Sequence, residues 1–263
     1  MLVRKLSVEF LGCFALVFLG VGTLIVQGTL GGVEMKPFIE KELGKAGMMM
    51  RFSPDSLLIV AFAFGLTFSF LVYAFQTVSF HFNPAITLGL ASVGRFSWKY
   101  VPLYWLAQIL GSVLAGFVIW GLMPEGINVN FGATIVSITT SVPFAFLAEA
   151  ILTFFLMLVF MAVATDKRFP QAASGLAIGL TIFVAYLMLG AQTGASLNPA
   201  RSIGSAVAAF QVAPEALKQI WLYIIAPAIG AVAAAFFYES LRPKEFAKSC
   251  PEDLVIVSTG TEG

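Results

Sequence analysis

Charge is scarce in this chain: Asp, Glu, Lys and Arg make up 11% of its 263 residues, where a soluble domain carries roughly 25%. The net charge is only +1, which argues against nucleic acid or an acidic macromolecule as partner. Histidine occurs once, at His81, and cysteine twice, at Cys13 and Cys250. One thiol lies in an apolar stretch and the other in a polar tail, so both are expected to be unpaired, with no disulfide, metal or redox role. No nucleophile–base constellation is visible, which leaves an enzyme without machinery and calls for no cofactor. What is abundant is apolar: 59% of the residues are hydrophobic and the mean hydropathy is +0.92. This is the composition of an integral membrane protein.

Six apolar runs, near 6–28, 57–75, 101–122, 146–165, 172–190 and 219–239, reach the roughly 20 residues a membrane helix needs. The first follows Arg4 and Lys5 like a signal peptide, but its length and the embedded Glu9 favour a retained helix. Arg4, Lys5, Arg95, Lys99, Lys167, Arg168, Arg242, Lys244 and Lys248 would share one side. Lys36, Lys41, Lys45, Arg51 and Lys218 would share the other. The excess places both termini in the cytoplasm.

The two halves repeat. EFLGCFALVF at 9–18 matches EAILTFFLML at 149–158, each opening on a glutamate. Phe64-Gly65-Leu66-Thr67 matches Ile178-Gly179-Leu180-Thr181, and AQILGSVLAG at 107–116 matches APAIGAVAAA at 226–235. A single domain over 1–263 is therefore expected, with a first repeat at 4–122 and a second at 146–240. Three spans per repeat force the second copy to enter the bilayer from the opposite side, an inverted arrangement.

Within this pattern Asn-Pro-Ala occurs twice, at Asn83-Pro84-Ala85 and Asn198-Pro199-Ala200, each after the second span of its half. Irregular backbone at bilayer depth is tolerated only where protein buries it or a wet cavity lines it. Asparagine is a favoured N-cap and proline suits the first helical turn. The triplets thus predict two re-entrant half-helices, 83–93 and 198–209, whose positive dipole ends, about +0.5 charge each, meet mid-membrane. Water can accept from both asparagine amides at a cost of about 0–2 kcal/mol, whereas a cation there meets two positive ends and loses its hydration.

Arg201 follows the second triplet. An embedded arginine costs about 2.5–3.5 kcal/mol on insertion scales and usually faces a water-filled path, where it would repel protons and cations. Glu9 and Glu149 occupy the same place in each repeat and are expected to accept from backbone N–H groups leading into the half-helices. The alternative for them is proton carriage, as in a pump. His81, two residues before Asn83, is either a structural, pore-lining group or a titrating gate.

The doubled triplet, the arginine after the second, the paired glutamates and Ala107-Gln108 resemble the major intrinsic protein family, the aquaporins and aquaglyceroporins. The resemblance covers about 4–240. It implies an all-α membrane protein of six transmembrane helices plus two half-helices, assembled as a homotetramer in the plasma membrane, each copy with its own pore. It further implies an outer selectivity filter at Phe64, Tyr186, Ala195 and Arg201. Ser202 after the arginine, the run to Gly204-Ser205-Ala206, and Tyr223 resemble the water-channel group; Ile224 leans toward the glycerol-passing one. The expected permeant is water, with hydrogen peroxide, ammonia or glycerol as candidate additions because Ala195 is small. A glycerol facilitator, a secondary transporter and a structural membrane protein are the competing readings.

The chain departs from the family pattern at Phe80, where Gly-Ala would stand between serine and histidine; the first loop is one residue short. Either the inner vestibule is narrower than usual or the ring points toward lipid or a neighbouring helix. The 29–56 connection is expected as an extracellular cap or a solvated connector, and 242–263 as a polar, mobile cytoplasmic tail.

Overall fold

The computed structural model describes residues 1–40 and 45–247. Cys250, and the tail expected beyond 247, lie outside the described residues.

Six long helices cross from face to face: α1 (Leu2–Thr29), α2 (Pro54–Phe75), α4 (Val101–Leu122), α5 (Val142–Thr165), α6 (Ser174–Thr193) and α8 (Glu215–Leu241). Two short ones, α3 (Pro84–Ser92) and α7 (Pro199–Ala208), sit inside the bundle. At nine and ten residues and 1.5 Å per residue, each reaches about half of a bilayer core roughly 30 Å thick. The order long, long, short, long runs twice, the two copies inverted.

Small residues let the helices close on one another. A Cβ at Gly111 would lie 2.1 Å from the Phe10 carbonyl oxygen of α1, and one at Gly230 would lie 2.0 Å from that of Ala150 on α5. These equivalent glycines give α1–α4 and α5–α8 the same close contact in both repeats, as small residues do between membrane helices. The outer rim is apolar: Leu103, Leu106, Leu110, Leu114 and Phe117 stand exposed along one face of α4. The polarity is inside, where Glu9, Gln108, Glu149, Thr193 and Arg201 are all buried.

One element departs from an all-helical chain. The 29–56 connection holds an antiparallel ribbon, β1 (Val33–Glu40) and β2 (Lys45–Phe52), with Val33 opposite Phe52 and Met35 opposite Met50. Its foot alternates: Val33 is buried and Met35 half-buried, while Glu34 and Lys36 are exposed and paired with each other. That period of two is a strand signal.

At the opposite face the start of the expected tail is docked rather than loose. Residues Lys244–Phe246 form a 3₁₀ turn, the Lys167 amide donates to the Phe246 carbonyl at 2.8 Å, and Asp166 bridges to Ala247. Arg95 and Arg242 both clasp Glu239 there.

Candidate functional site

The site is built from the two irregular segments that enter α3 and α7. Before α3, Glu9 accepts from the amides of His81 (2.8 Å) and Phe82 (2.7 Å), from the Ser79 hydroxyl and from Gln108 Nε2 (2.7 Å). Before α7, Glu149 accepts from the amides of Ser196 and Leu197, both at 2.9 Å, and from Thr193 Oγ1 at 2.7 Å. Every partner is a donor, so each carboxylate acts as a pure acceptor. Among the described residues no ion pair involves Glu9, Glu149 or Arg201.

The clamps hold unusual backbone. Phe82 (φ 49°) and Leu197 (φ 53°), the residues just before each asparagine, lie in the left-handed region, which costs a bulky residue about 1–3 kcal/mol. Phe82 also seats its ring against α1 at Gly12, where a Cβ would lie 2.1 Å from the ring. Turned this way, each carbonyl serves the other repeat. Asn83 Nδ2 donates to the Leu197 carbonyl and Asn198 Nδ2 to the Phe82 carbonyl, both at 2.8 Å. The asparagine oxygens meanwhile cap their own helices: Asn83 accepts from Ala85 N at 2.9 Å, and Asn198 from Ala200 N at 3.0 Å. Two helix N-termini are thereby tied end to end at the centre of the bundle.

Toward the hairpin face, Phe64 and Tyr186 stack with centroids 5.1 Å apart and planes at 19°. The Arg201 guanidinium lies over Phe64 at 5.1 Å, a cation–π arrangement. Arg201 Nη1 donates to the Gly132 carbonyl at 3.0 Å and the Ser205 hydroxyl at 3.3 Å; its Nε and Nη2 have no protein acceptor among the described residues. Ala195, at φ 39°, is buried in the loop that leads into α7. Beyond this group opens a recess of about 940 Å³, lined in part by Val33, Met35, Met50, Gly194 and Ala213. The hairpin foot thus forms part of the wall of this recess.

Toward the terminus face lies a smaller recess of about 320 Å³, lined by Lys5, Phe80, His81, Phe96, Tyr104 and Phe160 among others. The Phe80 ring stacks on Phe160 of α5 at 5.1 Å, so it lies at the recess wall rather than in lipid. His81 Nδ1 pairs with Thr87 Oγ1 at 3.1 Å, and its ring is packed among Phe96, Tyr104 and Phe160.

Gly132, Thr193 and Ser196 join this site without a sequence motif to mark them. Ser202 ties to Thr134 at 2.7 Å and to Ser196, bracing the second loop. A backbone carbonyl such as that of Gly132 carries no residue signature; the positive φ of 63° at this glycine is the only trace.

An apolar-rimmed helical bundle with a polar interior, two inverted half-helices joined at its centre and a recess on either face is a membrane channel scaffold. The sequence model of the major intrinsic protein family matches residues 1–238, and the chain belongs to that family of channels. It is 36% identical over 241 residues to aquaporin NIP1-1 of Zea mays, covering 91% of this chain and 75% of that one. It is likewise 36% identical over 240 residues to nodulin-26 of Glycine max, covering 91% and 78%. The solved aquaglyceroporin of Plasmodium falciparum superposes with a TM-score of 0.75 at 27% identity, covering 92% of this chain and 97% of that one.

Proposed function

We propose that the chain is a passive pore for water. Its path runs from the hairpin-side recess past Phe64, Tyr186, Ala195 and Arg201, then past Asn83 and Asn198, and out through the recess beside His81. The observation that carries this reading is the reciprocal bonding of Asn83 and Asn198 across the two repeats. Each amide nitrogen has two hydrogens; one is spent on the opposite loop and one is left for a permeant. With α3 and α7 presenting positive ends from opposite sides, a central water finds donors and no acceptors. It is oriented away from passing protons, and cations are repelled.

Glu9 and Glu149 serve the pore indirectly, as supports. Each is engaged with loop donors, so neither of these two embedded acids is free for ion coupling. Residues 4–122 and 146–240 each contribute one half of the path. The basic residues at the terminus face support cytoplasmic termini, and four copies side by side in the plasma membrane are the proposed assembly.

A second permeant class has its own support. The nearly parallel Phe64–Tyr186 stack offers an apolar surface beside the Arg201 guanidinium, which lies over Phe64, and Ala195 adds no bulk. Such a surface suits small neutral solutes with one carbon face and one hydroxyl face, glycerol above all. Stopped-flow light scattering on proteoliposomes challenged in turn with sucrose and with glycerol tests both. Rapid shrinkage in sucrose is expected; shrinkage no faster than that of empty vesicles would overturn the proposal.

A further inference from the structure

We infer that Phe52, at the foot of the extramembrane hairpin, is a positioning residue for the selectivity filter and sets its solute cut-off through Tyr186. This deepens, and rests on, the proposal that Tyr186 lines the narrowest point.

Tyr186 is held by its neighbours' rings and by the space they leave it. Its hydroxyl has no hydrogen-bond partner among the described residues, so packing alone fixes the tilt of the ring. One face lies on Phe64. Gly190, one turn along α6, supplies the space, for a Cβ there would come within 2.6 Å of the ring. The second ring contact among the described residues is Phe52, edge-on at 84° with centroids 6.5 Å apart. Such perpendicular pairs are a favoured aromatic geometry. Without Phe52, no other ring contact braces Tyr186 from the hairpin side among the described residues.

Phe52 is itself firmly rooted. It pairs in register with buried Val33. The next amide, Ser53 N, donates to the Gly32 carbonyl at 2.7 Å. Ser53 then caps α2, and Ser56 Oγ donates to Gln27 Oε1 of α1 at 2.8 Å. The hairpin foot is therefore bolted to α1 and α2, while its aromatic edge presses on α6. The ring at the filter takes its orientation from an element outside the spans.

The test uses full-length protein in proteoliposomes, with water and glycerol permeabilities measured side by side for Phe52→Ala, Phe52→Tyr, Tyr186→Ala and the double variant Phe52→Ala with Tyr186→Ala. Phe52→Ala is expected to raise the glycerol-to-water ratio about fivefold, the population factor that about 1 kcal/mol of aromatic contact represents. Phe52→Tyr, which keeps the edge, should leave the ratio alone, and the double variant should not exceed Tyr186→Ala. A ratio is read because a merely destabilised protein lowers both fluxes together. If Phe52→Ala fails to fold, Phe52→Leu, which keeps bulk without a rigid edge, should give a smaller rise. A flat ratio in the Phe52 variants with a raised one in Tyr186→Ala overturns the role of Phe52 and leaves the filter standing. Flat ratios throughout, or additive effects in the double variant, overturn the inference; flat ratios also remove Tyr186 from the filter.

Discussion

Glu149→Gln isolates the support beneath the second half-helix. In the native protein Oε1 takes Ser196 N and Thr193 Oγ1, while Oε2 takes Leu197 N alone. The least costly glutamine orientation keeps its oxygen at the Oε1 position and turns its NH2 toward the Leu197 amide. That removes one hydrogen bond to a charged group and leaves a buried donor facing a donor, together about 3 kcal/mol. Leu197 can then relax from φ 53°, recovering about 1 kcal/mol of the strain stored there. The net loss is about 2 kcal/mol, which in a chain of this size lowers Tm by about 4–8 °C. Relaxation also swings the Leu197 carbonyl away from Asn83 Nδ2, so water permeability per protein should fall in parallel. Thr193→Val removes a hydroxyl that donates to Glu149 and accepts from the Ala195 amide at 3.1 Å, and should cost about 2 kcal/mol while leaving the Leu197 amide seated on the carboxylate. Thermal unfolding in detergent and stopped-flow water flux read the two effects. A Glu149→Gln protein with native Tm and native flux would refute the view that this carboxylate holds the loop.

Three further outcomes follow from the same geometry. Cys13 is buried within α1 and position 195 is alanine, so mercuric ion should not block water flux at the filter, whereas Ala195→Cys should make flux sensitive; inhibition of a Cys250→Ser protein that keeps Ala195 would contradict this. Phe80→Ala should enlarge the 320 Å³ recess and raise water flux; unchanged flux would show that this mouth does not limit permeation. The Arg168 guanidinium holds the Asp166 carboxyl well below the usual carboxylate range. A depressed acid contributes stability above its unfolded pKa of about 3.9 and loses it as pH falls through the lower folded value. Tm should therefore lose its Asp166-dependent part only below about pH 4, with Asp166→Asn flattening that region; a loss already complete near neutrality would contradict the sign.

Much of the architecture is legible in residue order. The repeated glutamate, the Asn-Pro-Ala triplets and the small residues at 111 and 230 are local signals, because capping, helix initiation and close packing are local physics. The ribbon at 33–52 is harder to see. Its alternation is interrupted by Pro37, by Gly47 and by the methionine run Met48-Met49-Met50, so the residue order leaves both an extracellular cap and a solvated connector open. The left-handed backbone at Phe82, Ala195 and Leu197 was not legible at all, since these residue types ordinarily avoid it. It exists because two carboxylates and a partner loop over-determine it. Phe52 is invisible for a similar reason: its importance lies in a perpendicular contact with a helix more than a hundred residues away. For Phe80 the residue order left two placements open, and packing on Phe160 selects the recess.

The central claim is that two half-helices tied at Asn83 and Asn198 carry water and block protons. Osmotic water flux and proton flux, the latter read with an entrapped pH dye, should be recorded on one batch of proteoliposomes. Rapid water movement is expected, with proton leakage no greater than that of protein-free vesicles. Water movement at the bare-lipid rate, or a proton current that rises with protein content, would contradict it.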